Sequence, residues 1–135
     1  MADWEWKFQP SYEGLVHAIE LMSCGMVVEG AEGIIYYANT RVLEWTGFRP
    51  TELDGESISL IVPPEFHGDL AAERQRAMDG DLRTRLSAVR RKNGRTFPVA
   101  VAPQPFTRLD NGEPALLTIL SSASSPLGNG RSWST

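Results

Sequence analysis

The chain has 135 residues, enough for one domain that buries roughly two thirds of its unfolded surface around an internal pocket, but too few for a second domain. Its 13 basic and 17 acidic side chains leave a net charge of -4, so the domain offers no general attraction to phosphate backbones or anionic lipid and is not expected to bind nucleic acid or membrane. The single cysteine, Cys24, excludes an intrachain disulfide framework and a zinc site with several cysteine ligands. With no basic leader and no run of about 18 apolar residues, the expected setting is cytoplasmic.

Residues 1–11 mix tryptophan with charge and read as an irregular lead-in. Leu15, Ala18, Ile19 and Met22 then recur at three- and four-residue spacing, which predicts a helix over 12–23. Gly25 to Glu29 and Ile34 to Ala38 are β-rich runs separated by Gly30-Ala-Glu-Gly33, a hairpin signal. Tyr36 and Tyr37 alternate on the second strand, so one is expected to face the core and the other the opposite side. Thr40–Glu44, Thr51–Asp54 and Ser57–Leu60 are too short to stand as isolated helices and must borrow stability from packing, with Thr51 a possible cap. Pro63-Pro64 punctuates the chain, and Glu65–Met78 reads as a longer helix stopped at Asp79-Gly80.

Three β-type runs follow: Leu82–Arg91, Arg95–Phe106 and Ala115–Ser122. They are joined by Lys92-Asn93-Gly94 and Asp110-Asn111-Gly112, and Asn-Gly is a strong hairpin signal because both residues tolerate positive φ. Pro98 belongs at an edge or a bulge, since it cannot donate to a ladder. Two strands before and three after a block of short helices describe an α+β fold, a five-stranded antiparallel sheet with helices on one face. The domain therefore spans 12–122, and the Ser/Gly-rich segment 123–135 reads as a flexible tail or linker.

Several short motifs in this order are similar to the PAS domain family. They are Ile34-Ile-Tyr-Tyr followed by Ala38-Asn39, then Thr46-Gly47-Phe48, Glu52-Leu53 with Gly55, Ile61-Val62-Pro63, and the turn from Arg91 to Val99 around Asn93-Gly94. The resemblance implies a sensory or interaction module that relays its state to an effector such as a histidine kinase or transcription regulator. It also makes the helix over 12–23 the candidate for homodimer contact and output. A sheet roofed by weakly self-stabilised helices has a soft side suited to a small apolar or aromatic ligand, or to a protein partner. The expected lining is Val28, Tyr37, Val42, Trp45, Leu53, Ile58, Ile61, Phe66, Leu70, Val99, Val101 and Leu117.

Cofactor-holding redox or gas sensing is the alternative. The proximal histidine of haem-binding relatives would fall at Leu70-Ala71-Ala72, so haem would need a shifted ligand at His67, with Met78 opposite. The cysteine-bearing Asn-Cys-Arg-Phe-Leu-Gln segment of flavin photoreceptors is absent, whereas a non-covalent flavin could stack on Trp45, which otherwise fills the cavity. Asn39 either caps the strand-to-helix turn or touches ligand. Arg83, Arg85, Arg90, Arg91, Lys92 and Arg95 form either a solvated face or an anion site.

Catalysis is not expected. His17 and Cys24 lie about 10 Å apart along a helix, beyond proton-transfer reach, and no hydrolase, metalloprotease or phosphate-loop motif occurs. Asp69 and Glu73, with Arg74 and Arg76 beside them, read as an exposed, ion-paired helix face.

Overall fold

A computed structural model describes residues 23–108 and 110–122. The helix expected over 12–23, the lead-in and the tail after Ser122 lie outside them, apart from Ser23, which forms a bend. Five strands form one sheet in the order β2-β1-β5-β4-β3, every neighbouring pair antiparallel. They are β1 (Gly25–Gly30), β2 (Ile35–Ala38), β3 (Arg85–Arg90), β4 (Thr96–Thr107) and β5 (Pro114–Ser122). Between β2 and β3 come α1 (Thr40–Thr46), α2 (Pro50–Leu53), two 3₁₀ segments over Ile58–Ile61 and Pro64–Asp69, and α3 (Leu70–Met78).

The first two helices are held by caps. Asn39 Oδ1 accepts from the Val42 amide at 3.2 Å to start α1, and Gly47 ends it in the left-handed region at φ 81. The start of α2 falls at Arg49 rather than Thr51: the Arg49 amide donates to Glu52 Oε1 at 2.8 Å, and Pro50 supplies a ready helical φ. The long helix expected over 65–78 is divided. Pro63, Pro64 and Gly68 keep its first part in tighter 3₁₀ winding, and regular α-helix begins only at Leu70. The strand expected from Leu82 begins at Arg85, because Asp81 turns back on the chain and accepts from Arg83 Nε and Arg85 Nη2, each at 2.9 Å.

Strand register fixes which side chains meet the helices, because cross-strand partners share a face. Val27 pairs with Thr118, Thr118 with Pro103, and Val101 with both Leu120 and Arg85. This face packs under the helices, and the core gathers there around Val27, Ile35, Val42, Leu53, Ile61, Val89, Val99 and Leu120. The register of β1 and β2 slips between Val28 and Glu29, so Tyr36 bulges out of the pairing and is 42% exposed. The expected alternation of Tyr36 and Tyr37 fails for that reason. Ile35 is the inward residue, and Tyr37 pairs with Val28 on the far side.

Pro98 lies inside β4, one step beyond the last pairing with β5, Val99 with Ser122. Pro103 and Pro105 lie beyond the last pairing with β3, Arg85 with Val101. Each proline thus occupies a place where β4 has a strand partner on one side only, which spares the ladder a missing donor.

Candidate ligand-binding cavity

Between the sheet and its helical roof lies a cavity of about 110 Å³. Its floor is made by Val27 and Glu29 of β1, Leu116, Thr118 and Leu120 of β5, Val99, Val101 and Pro103 of β4, and Arg85 and Val89 of β3. Ile58 and Ile61 of the first 3₁₀ segment, with Val62 just after it, close it on one side, and Leu70, Glu73, Arg74 and Ala77 of α3 on another. Drug-sized pockets hold roughly 300–1,000 Å³ and an apolar cavity of about 150 Å³ takes up benzene, so this smaller space limits an occupant to about one ring at most.

One end of the cavity is charged. Glu29 comes inward on β1 by strand parity, is only 7% exposed, and faces Arg74 of α3, whose Nε lies 3.5 Å from Glu29 Oε1. That separation is long for a hydrogen bond, and both Glu29 Oε2 and Arg74 Nε are buried without a hydrogen-bond partner. Burial pushes the Glu29 carboxyl above its usual range, and the charge and proximity of Arg74 draw it partly back. Gly33, at φ 86 in the β1–β2 turn, lies so close to Arg74 that a Cβ there would run into the guanidinium Nη2 and displace it. Glu73 and Arg85, the other charged side chains on the wall, face each other at 4.0 Å, and Arg85 is also paired with Asp81.

A sequence profile described as PAS domain matches residues 23–121. The chain belongs to the PAS domain family. Solved structures share its fold. The PAS domain of a protein from Desulfitobacterium hafniense is 20% identical, with a TM-score of 0.71 over 78% of this chain and 98% of that one. The PAS domain of an HTR-like protein from Haloarcula marismortui is 25% identical, with a TM-score of 0.64 over 80% and 88%. A domain of a sensory box sensor histidine kinase/response regulator from Geobacter sulfurreducens is 19% identical, with a TM-score of 0.69 over 82% and 92%. Comparison with curated protein sequences gives no significant match.

Within this PAS fold the expected lining residues divide into groups. Ile58, Ile61, Leu70, Val99 and Val101 border the cavity. Val28, Tyr37 and Leu117 do not, because Val28 pairs with both others on the opposite sheet face. Val42 and Leu53 are core residues away from the cavity wall, and Phe66 is half-buried outside it. Asn39, fully buried, is a structural hub rather than a wall residue: Oδ1 also accepts from the Met26 amide at 3.0 Å, and Nδ2 donates to the Cys24 carbonyl at 3.1 Å.

The cofactor alternatives fit poorly. Trp45 lies outside the cavity wall, in a T-shaped contact with Phe97 with ring centroids 5.6 Å apart, so a flavin in the cavity would not meet it. The His67 ring is exposed, with Nε2 2.7 Å from the Val62 carbonyl, and Met78 borders a different surface groove. No set of three metal-ligating side chains occurs among the described residues, nor is any of their helices long and apolar enough to cross a membrane.

The charged residues separate by geometry. Lys92 Nζ reaches Glu52 at 2.6 Å and the Arg91 guanidinium lies 4.8 Å from the Phe97 ring centre, so the basic hairpin is engaged largely with its own protein. Arg76 and Glu73 pair on an exposed helix face as expected, but Arg74 turns inward to Glu29. Sequence reading missed Glu29 and Arg74 as site residues. The available signal was a carboxylate two positions from Val27, at the parity of the apolar face.

Proposed function

We propose that this PAS domain is a non-catalytic sensory module whose input is a small, mostly apolar molecule held between the sheet and α3. The observation that carries the reading is the apolar cavity roofed by segments of four to nine residues, which depend on packing for their stability. A ligand that fits one seating of this roof better than another shifts its population by the difference in affinity. The shift would pass to an effector such as a histidine kinase or transcription regulator, with the segment 12–23 as dimer contact and output path in a cytoplasmic setting.

Purified protein should gain thermal stability on addition of single-ring aromatic compounds, and denaturation followed by mass spectrometry should release any ligand carried through purification. Val101→Phe projects a ring from the cavity floor and should abolish the stabilisation by added compound while preserving the folded circular-dichroism spectrum. Stabilisation that persists unchanged in this folded variant would place binding elsewhere and reject the reading.

A further inference from the structure

We propose that the cavity selects a neutral ligand with one hydroxyl group on an apolar body of about one ring, a phenol or small alcohol, and that Glu29 and Arg74 seat the hydroxyl. This deepens the sensory reading above and rests on it. Glu29 Oε2 is a buried acceptor without a donor, and the acceptor facing the buried Arg74 Nε–H, Glu29 Oε1, stands 3.5 Å away, too far for a good hydrogen bond. Both side chains line the cavity. A hydroxyl is the smallest substituent that donates and accepts at once, so one group could complete both atoms.

Charge argues for a neutral partner. Glu29 and Arg74 offset each other, and Glu73 lies 4.0 Å from both Arg76 and Arg85, so a bare ammonium or carboxylate would bring an uncompensated charge against a wall whose charges are already paired. Val99, Val101, Leu116, Leu120 and Ile61 supply the apolar walls for the rest of the molecule. Because Glu29 is on β1 and Arg74 on α3, a bridging hydroxyl would also tie the roof to the sheet.

The test compares phenol with toluene, which have similar size and differ in the polar group, by titrating the full chain and following the methyl resonances of Ile61 and Val99. Phenol should bind about tenfold more tightly, the worth of one good hydrogen bond made in a buried site. Glu29→Leu combined with Arg74→Met replaces the pair by apolar side chains of similar size, an exchange that folded proteins commonly accept. It should retain toluene binding and erase the preference for phenol. Equal affinities in the unaltered protein, with both compounds perturbing Ile61 and Val99, would overturn the polar anchor while leaving the cavity as a ligand site. A preference for phenol that survives in the double variant would also overturn the anchor. If neither compound moves these resonances, the sensory reading of the cavity falls, and this inference with it.

Discussion

Asn39 illustrates how much one side chain can carry when it is fully enclosed. Its amide joins the first turn of α1, the Met26 amide of β1 and the Cys24 carbonyl before β1, so the strand-to-helix corner depends on a single residue. Asn39→Ala removes these partners without offering water in exchange. A lost cap costs about 1 kcal/mol and stranded buried backbone groups add more, so the variant should lose about 3 kcal/mol in urea unfolding. A loss below about 1 kcal/mol would mean the corner is held by something else. Capping was one of two roles for Asn39 legible in the sequence, since a short amide between an apolar strand and a helical run commonly bonds the backbone there. The inward turn of Arg74 was not. The 3₁₀ lead-in from Pro64 changes the rotational phase with which α3 meets the sheet, and a helical wheel drawn over 65–78 cannot anticipate that change.

At the scale of elements, the β1–β2 turn connects the sheet to its roof. The Gly33 carbonyl accepts from the Ile58 amide at 2.7 Å, and the Gly33 Cα packs on Arg74, so this turn touches both the 3₁₀ roof segment and α3. Gly33→Ala should therefore incur two costs, left-handed strain and collision with the guanidinium. Gly112→Ala makes a matched control, because Gly112 has φ 71 with nothing near the added carbon. Strain alone should lower the stability of Gly112→Ala by about 1 kcal/mol, and Gly33→Ala should lose about twice that, with faster amide exchange confined to α3. Equal losses and unchanged exchange in α3 would remove the turn from any role in seating the roof. The two Asn-Gly hairpins were readable beforehand because their geometry is local. The slip between Val28 and Glu29 depends on how two strands meet, and neither strand alone signals it.

For the whole molecule, the buried pair sets a pH response. The folded state raises the Glu29 carboxyl above its ordinary value of 4.5, so native protein holds this proton more tightly than unfolded chain. Stability contributed through Glu29 is then greatest at acid pH and is lost as pH climbs through the raised value. Glu29→Gln does not titrate, and subtracting its unfolding free energy from that of the unaltered protein between about pH 4 and pH 7 cancels the other carboxylates. The difference should move steadily against the unaltered protein as pH rises; a flat difference would show that Arg74 offsets the burial completely.

The placement of prolines in β4 has a consequence for how the domain keeps company with copies of itself. Past Val101, the partner of Arg85, this strand runs on without a β3 neighbour, the kind of bare margin on which a stray chain could zip. Pro103 and Pro105 fall in that stretch and lack the amide hydrogens such zipping consumes. The flank is therefore blunted against cross-β growth, so crowded copies are discouraged from merging their sheets along that border.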